Sequence, residues 1–217
     1  MEPDSNAAES VDWEGGPVSC RDCPYEPIRT EGRCDLGRIC VRDRRAKRID
    51  RFFAENPGEA SRYLDHPYFE ARVLAAKHAS VFLLPPLLDD PEPDVRAMAA
   101  YRLPLNRIAR LKRDPDRKVR VVAAQRLEGA DLVALCIDED YFVRLTAVKR
   151  LPADMLSMAM HDVDAQVRRE VARRIKSDLL PAMIFDADPL VRREVAARLE
   201  PPQLMSLVGD PDLRVRH

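Results

Sequence analysis

Hydrophobic residues recur along most of this chain with a period of 24 positions. The repeating unit reads Val-Arg-x-x-Ala-Ala-x-Arg-Leu, and its first arginine marks the same place in every unit. In one unit Val95, Ala99 and Leu103 fall on a single face of a helical wheel, which predicts an amphipathic α-helix. The marker arginines, each 24 positions apart, are Arg72, Arg96, Arg120, Arg144, Arg168, Arg192 and Arg216.

A second, shorter helix is predicted in each unit. A break that often contains proline, such as Pro104 or Pro152, follows the first helix. The segment after it, for example residues 154–160, has room for one or two turns, and at that length a 3₁₀ helix is a candidate. No segment alternates apolar and polar residues beside a hairpin signal, so no β-sheet is expected. Stacking of such units would bury the apolar columns, so the sequence predicts an all-α solenoid.

Two arginine columns border the apolar face. The marker column, with Arg96 as an example, recurs at the same period as a column of aspartates, so we expect each arginine to pair with an aspartate or a helix-end carbonyl between units. We call this pairing between units a ladder. For the second column, in which the first unit has His78 instead of arginine, a ladder is likewise favoured over a stripe that binds anions. Cys136 lies in an apolar column and is interpreted as a core residue. The second column contains Arg102, Arg126, Arg150, Arg174 and Arg198.

Length and charge restrict the class of protein. The 217 residues are enough for one sizeable domain or two small ones, and the formal net charge of −1 provides no overall basic field to attract nucleic acid. Residues 1–17 carry five acids and no base, so they are predicted to form a flexible acidic tail and not a secretory signal. No run of 18 apolar residues occurs, so no membrane span is expected. The expected compartment is the cytoplasm, where cysteines stay reduced.

Four of the five cysteines fall in one short, non-repeating stretch with the spacing Cys-x2-Cys-x10-Cys-x5-Cys. They are Cys20, Cys23, Cys34 and Cys40. So small a region needs a staple because it cannot bury enough apolar surface, and four reduced thiols favour a metal. The first pair fits a zinc knuckle, but the second pair is spaced too widely for one. An iron–sulfur cluster accepts such spacing, so it is placed above zinc, with two disulfides third.

This cysteine spacing, followed by 24-residue Val-Arg-x-x-Ala-Ala-x-Arg-Leu units, resembles the leucine-rich repeat variant family, and in particular its iron–sulfur member from nitrogen-fixing bacteria. The resemblance runs from about Cys20 to the end of the chain. It implies a [4Fe–4S] cluster on Cys20, Cys23, Cys34 and Cys40. It also implies units of alternating α and 3₁₀ helices, wound into a right-handed superhelix. It brings no known catalytic activity, and the strand motif of ordinary leucine-rich repeats is absent from this sequence.

Three regions are therefore expected. They are the tail over residues 1–17, an iron–sulfur cluster domain with a docking helix over residues 18–64, and the repeats over residues 65–217. The Asp-Pro-x-x-x-Val-Arg-x-x-Ala-Ala segments of the repeats also resemble the second helix of a HEAT repeat, although HEAT units run to ~40 residues.

The segment between the cysteines and the repeats is basic. Residues 38–53 carry seven bases against two acids. One interpretation of this excess is an arm that binds nucleic acid. We favour a helix that docks Val41, Ile49, Phe52 and Phe53 on the first repeat, with its arginines offsetting the negative charge of a thiolate-bound cluster.

No catalytic constellation is present, because the four histidines are scattered and no phosphate-binding loop or Ser/His/Asp set occurs. The sequence therefore predicts a non-enzymatic protein. The first hypothesis is a scaffold for a protein partner whose cluster is redox-active or redox-sensing. The alternatives are a solenoid that binds nucleic acid through the Arg102 column and residues 38–51, which the net charge disfavours, and a purely structural cluster that caps the repeats.

The last repeat ends early. The sequence stops one residue after Arg216, partway through the first helix of a unit. Because an incomplete unit leaves the preceding apolar face uncovered, we expect the natural chain to continue for at least the ~10 residues of a typical helix.

Overall fold

The computed structural model describes residues 10–21 and 23–216. The chain divides into two compact units, Met1–Ile108 and Ala109–His217. The described part is helical, with only two isolated β-bridges, Val11 with Pro17 and Asp35 with Ile39, and no strand. The prediction of an all-α chain without a sheet is confirmed for these residues.

In the unit Met1–Ile108, the cysteine stretch precedes the first repeats. Its α-helices are α1 (Ala46–Glu55), α2 (Phe69–His78), α3 (Pro93–Arg102) and α4 (Leu105–Ile108). Helix α2 packs against both α1 and α3. The 3₁₀ helices of this unit are Pro27–Arg29, Pro57–Tyr63, Val81–Leu83 and Pro85–Asp89.

The unit Ala109–His217 consists of repeats throughout. Its α-helices are α5 (Arg117–Arg126), α6 (Gly129–Leu135), α7 (Tyr141–Val148), α8 (Ala165–Arg174), α9 (Pro189–Ala196), α10 (Pro201–Leu204) and α11 (Leu213–Arg216). Its 3₁₀ helices are Ala109–Arg113, Ala153–Ala159 and Leu180–Met183. The predicted alternation of longer α-helices with short second helices is confirmed. The short helices are mixed in type, since α6 and α10 are α-helical.

Aspartates cap four of the longer helices, α5, α7, α8 and α9. The Asp140 side chain accepts hydrogen bonds from the backbone N–H groups of Phe142 and Val143, at 2.8 and 3.3 Å. Asp116, Asp164 and Asp188 cap α5, α8 and α9 in the same way. These caps satisfy backbone donors that have no partner within the helix.

The apolar columns form the core. In α7 and the residues after it, Val143, Ala147 and Leu151 are all buried, and α7 packs between α5 and α8. The alanines allow neighbouring helices to lie close together. Cys136 is buried among this core, as predicted, and burial raises the pKa of its thiol to about 11.

The marker arginines form the expected ladder. Arg144 donates from Nε and Nη2 to the two carboxylate oxygens of Asp162, at 2.7 and 2.9 Å, and from Nη1 to the Asp138 carbonyl, at 2.8 Å. Each rung therefore ties one repeat to the next through a two-pronged ion pair. The same pairing joins Arg72 to Asp90, Arg120 to Asp138, Arg168 to Asp186 and Arg192 to Asp210.

The second arginine column bonds the ends of helices. Arg150 Nη1 donates to the carbonyls of Ala124 and Leu127, at 2.8 and 2.5 Å, at the carboxyl end of α5. These carbonyls lack partners within their own helix, so each repeat caps the helix of the preceding one. Arg102 bonds Ala76 and Ala79, Arg174 bonds Val148 and Leu151, and Arg198 bonds Ala172 and Ile175 in the same manner.

Helix α1 docks on the first repeat. Ile49, Phe52 and Phe53 are completely buried, which confirms the predicted docking face. On the same contact, Asp50 of α1 accepts hydrogen bonds from Lys77 Nζ at 2.8 Å and from His78 Nε2 at 2.7 Å. Residues 46–53 of the basic segment therefore belong to a packed helix, and the apolar face of that helix is not available to a ligand.

The chain before the cysteines is packed as well. Of the predicted acidic tail over residues 1–17, residues 1–9 lie outside the described residues. Residues 10–17, in contrast, form a turn whose first residue, Ser10, is buried and accepts a 2.9 Å hydrogen bond from Arg48 Nη1. Among the described residues, every helix falls short of the length and apolar character needed to cross a bilayer.

Candidate metal centre

The first two cysteines lie on a tight turn. The backbone N–H of Cys23 donates to the carbonyl of Cys20 at 3.2 Å, and the N–H of Glu26 donates to the carbonyl of Cys23 at 3.0 Å. Both cysteines are half-buried. The turn therefore presents the two side chains from one short piece of backbone.

The other two cysteines bracket a narrow loop. Asp35 and Ile39 exchange two backbone hydrogen bonds of 2.7 Å each, which place Cys34 and Cys40 at the two ends of the loop. Gly37 turns the loop with a φ of 85°, a conformation that side-chain-bearing residues rarely adopt. Cys34 and Cys40 are buried, with 6% and 5% of their surface exposed.

The four thiols share one electrostatic environment. Burial is the largest cause that raises the pKa of Cys34 to about 12, and the negative charges of Cys40, Cys23 and Cys20 contribute to the same increase in that order of size. All five cysteines of the chain are free, so no disulfide relieves this repulsion. A group of thiols that repel one another as thiolates is a site for a positively charged centre, which would stabilise the deprotonated sulfurs.

Backbone donors point at one of these sulfurs. Burial raises the pKa of Cys40, while hydrogen bonds from the backbone N–H groups of Arg42 and Asp43 oppose that increase. N–H donors to thiolate sulfur are the contacts through which proteins tune metal–thiolate centres. The donor set of the loop, four cysteines and two aimed N–H groups, therefore fits an iron–sulfur cluster.

A single metal ion and an iron–sulfur cluster differ in the spacing of the ligands that they need. Among the described residues, no three His, Cys, Asp or Glu side chains come together as ligands of one metal ion. A tetrahedral zinc site needs four ligands at about 2.0–2.3 Å from one atom, whereas a cluster of several irons offers ligand positions that are farther apart. Metal analysis distinguishes these two kinds of centre.

Helix α1 holds the cysteine loop in place. The side chain of Asn56 donates to the carbonyl of Arg33 at 2.8 Å, directly before Cys34, and to the carbonyl of Phe52 at 2.9 Å. On the other side of the loop, the ring of Tyr25 meets the edge of Phe52 at 4.8 Å. These contacts connect both cysteine pairs to the core of α1.

A buried ion pair fixes the turn after Cys40. Arg48 Nη1 lies 2.5 Å from Asp43 Oδ2, and both side chains are almost completely buried. Sequence reasoning missed Asn56, Asp43 and Arg48. The sequence did contain one signal for Arg48, which directly precedes Ile49 and lies four residues before Phe52 on the predicted helix. An arginine so close to the apolar face needs a carboxylate partner, which could have been sought.

Comparisons with known proteins agree with this site and with the repeats. Residues 10–62 match the family model described as "LRV protein FeS4 cluster". A solved leucine-rich repeat variant with a novel repetitive structural motif is 40% identical in sequence, with a TM-score of 0.87 over 92% of this chain and 86% of that chain.

A second relative shares a shorter segment. An uncharacterized 27.7 kDa protein from the nifB 3′ region of Rhodobacter capsulatus is 51% identical over 80 residues, 37% of this chain. The match spans 33% of that relative's own length. With the solved variant matched over most of both chains and the cluster model matched over the cysteine region, this chain belongs to the leucine-rich repeat variant family and carries that family's iron–sulfur domain at its N-terminus.

Proposed function

We propose that this chain is a non-enzymatic iron–sulfur protein of the cytoplasm, in which Cys20, Cys23, Cys34 and Cys40 hold a [4Fe–4S] cluster. The cluster is redox-active or redox-sensing, and the repeats form a scaffold for a protein partner. The observation that carries the proposal is that four free thiols, two on a turn and two on a loop held by α1, lie near enough for the charges of three of them to act on Cys34.

The residues around the loop have separable roles. A bound [4Fe–4S] cluster supplies a one-electron couple whose potential depends on hydrogen bonds to sulfur and on burial. The N–H groups of Arg42 and Asp43 stabilise negative charge on the Cys40 sulfur, and the buried pair of Asp43 with Arg48 keeps that backbone in place. Burial of Cys34 and Cys40 limits the access of water and oxidants to this side of the centre.

A protein partner is favoured over nucleic acid by the surface of the unit Ala109–His217. The ladder and helix-end arginines there are committed to aspartates and carbonyls, so they offer no free basic stripe. Large apolar side chains are exposed instead, with Ile137 81%, Val163 90% and Phe185 86% exposed. Exposed apolar surface of this kind is typical of sites that contact another protein.

Metal analysis tests the cluster. The chain purified without oxygen should contain about four irons and four sulfides, and it should absorb broadly near ~400 nm as thiolate-bound iron does. Stoichiometric zinc without iron, after anaerobic handling, would overturn the assignment in favour of the zinc alternative.

Potentiometry separates a redox-active cluster from a structural one. The clamp of Asn56 on the cysteine loop would equally suit a cluster that serves as a cap of the repeats. A reversible one-electron transition between about −700 and +450 mV, the span of protein iron–sulfur clusters, supports the redox role. A cluster that decomposes on one-electron oxidation or reduction supports the cap.

Anaerobic co-purification tests the scaffold. We expect a protein to be retained by the native chain and lost when Ile137, Val163 and Phe185 are together replaced by serine. Retention of nucleic acid that disappears in salt, without a protein, would support the nucleic-acid alternative instead.

A further inference from the structure

A pocket of about 400 Å³ lies beside the cysteine loop in the unit Met1–Ile108. Pro24, which follows Cys23, and Val41, which follows Cys40, both line it. The described residues that line the pocket include none of the four cysteines. The pocket is therefore a neighbour of the proposed cluster site, and its volume falls within the roughly 300–1,000 Å³ of small-ligand sites.

Aromatic rings form the walls of this pocket. Trp13 lies parallel to Tyr68 with 6.2 Å between ring centres, and it meets the ring of His66 edge-on at 6.1 Å. Tyr63 also stacks on His66, with 5.5 Å between ring centres. Trp13 is still 42% exposed, so part of its indole surface remains open to an incoming group.

The hydroxyl groups of Tyr63 and Tyr68 are already hydrogen-bonded. The Tyr63 hydroxyl donates to the Tyr25 hydroxyl at 3.2 Å, and the Tyr68 hydroxyl donates to Glu70 at 2.6 Å. His66 Nδ1 accepts a hydrogen bond from the backbone N–H of Tyr68 at 3.1 Å, and burial lowers the pKa of this histidine, so its ring is neutral. The walls therefore offer a ligand mainly aromatic surface.

Carboxylates stand at the rim. Asp12 Oδ1 accepts hydrogen bonds from the N–H groups of Glu14 and Gly16, at 3.1 and 2.7 Å, and among the contacts of the described residues its Oδ2 accepts none. Glu14 is exposed beside it and also lines the pocket. Asp43 in the lining is paired with Arg48, whereas Arg42 of the lining and the nearby Arg44 oppose the two rim carboxylates.

We propose that this pocket binds an organic cation, the guanidinium or ammonium group of an arginine or lysine side chain presented by a partner protein. Cations are attracted to the faces of tryptophan and tyrosine within about 6 Å, and Asp12 and Glu14 add a direct charge partner. The exposed Trp13 and Glu14 keep the mouth open to a group that belongs to a larger molecule. Tryptophan and arginine are also the side chains that most often dominate protein interfaces.

The proposal rests on the interaction role proposed above and names the chemistry of the partner. It does not require the cluster to exchange electrons. Iron and sulfide are measured on the same samples, so the two proposals fail separately. If the chain contains no iron but still binds the cation, the cluster proposal is wrong and the pocket proposal stands. If the chain contains iron but does not bind the cation, the pocket proposal is wrong and the cluster proposal stands.

Trp13 is the sole tryptophan of the chain, so intrinsic fluorescence reports directly on the pocket. The anaerobically purified full chain is titrated with N-acetyl-arginine amide and N-acetyl-lysine amide, with N-acetyl-glutamate as the anionic counterpart. We expect a saturable change in fluorescence with the two cations that weakens with added salt, and no saturable change with the anion. Isothermal titration calorimetry checks that the change reports binding.

Two variants test the assignment of residues. Asp12→Asn keeps an oxygen that can accept from Glu14 and Gly16 but loses the charge, and we expect it to weaken cation binding about two- to fivefold. Addition of Glu14→Gln should weaken binding again, whereas Glu55→Gln, an exposed acid of α1 outside the pocket, should leave it unchanged. Circular dichroism confirms that each variant is folded.

Three outcomes would overturn the pocket proposal. They are the absence of saturable cation binding by both methods, equal binding by the native chain and the double variant, and binding of the anion at least as strong as that of the cations.

Discussion

Asp138 is used by two arginines at once. Its carboxylate accepts from Arg120, and its backbone carbonyl accepts from Arg144 at 2.8 Å. Asp162 repeats the arrangement with Arg144 and Arg168. Each guanidinium thereby donates from Nε and Nη2 to a carboxylate of the next repeat and from Nη1 to a carbonyl of its own repeat. A lysine, with a single ammonium group, cannot make this set of contacts.

Removal of one rung should be costly. We expect Arg120→Ala to lower the free energy of unfolding by about 1–3 kcal/mol, because Asp138 is left buried without its partner. Arg117→Ala is the matched control on the same helix. Its side chain is 63% exposed in a 3.3 Å pair with Asp140, so its loss should cost no more than about 0.5 kcal/mol. Urea unfolding measures both, and equal losses would contradict a structural role for the rung.

Single residues also mark the limit of what the sequence predicts. The ladder was predictable because its arginines and aspartates recur with the same period. The same pair of residue types therefore appears in one unit after another and supports a single interpretation. The pair of Asp43 with Arg48 occurs once, in a loop whose backbone course no periodicity describes. Its partner could therefore be identified only in three dimensions.

At the scale of the element, α1 joins the cysteine loop to the repeats through its aromatic face. Phe53 is completely buried and packs edge-on against Tyr63 at 5.4 Å. We expect Phe53→Ala to destabilise the protein by about 3–5 kcal/mol, the usual cost of a large cavity. Phe82→Ala is the control, since Phe82 is 87% exposed, and it should change stability by no more than about 0.5 kcal/mol. Thermal or urea unfolding that ranks the two alike would show that α1 is not part of the core.

The cysteine loop should depend on its ligands more than the repeats do. We expect Cys34→Ser to lose the absorption near ~400 nm and most of the iron, while the helical circular dichroism of the repeats is largely kept. Cys136→Ser, at a buried cysteine remote in sequence from the loop, should keep its full iron content. Global unfolding of Cys34→Ser would show instead that the repeats cannot fold without the loop.

The elements were predictable to different degrees. The longer helices follow from the wheel pattern and from caps such as Asp140 and Asp164. The short helices do not, because 3₁₀ and α-helices of one or two turns differ by a single hydrogen-bond register. Thus Ala153–Ala159 is a 3₁₀ helix and Gly129–Leu135 an α-helix at equivalent places. The cysteine ligand set stays a prediction, which the metal analysis described above would test.

At the scale of the whole molecule, the ladder makes the free energy of unfolding depend on pH. The ion pairs with Arg168 and Arg192 hold the pKa values of Asp186 and Asp210 below the ordinary 3.8. A lowered pKa in the folded state stabilises the protein fully above the ordinary value, and this stabilisation is lost as pH falls through the folded pKa. We therefore expect the free energy of unfolding to decline below about pH 4.

Circular dichroism at graded pH measures this decline. Asp186→Asn removes one of the titrating carboxylates, so the variant should be less stable at neutral pH and should lose less stability on acidification than the native chain. An acid transition that is identical in the two proteins would show that the rungs do not control it.

The reach of each rung restricts how this protein can change over evolutionary time. Every bidentate pair joins an arginine to an aspartate 18 positions later, and that aspartate lies six positions before the next marker arginine. Duplication or excision of one whole 24-residue module in the gene therefore restores every pairing across the new junction. An insertion of any other length would separate an arginine from its aspartate and leave a buried charge unmatched. Related proteins should accordingly differ in their number of whole repeats. Insertions of a few residues inside a repeat should be rare among them.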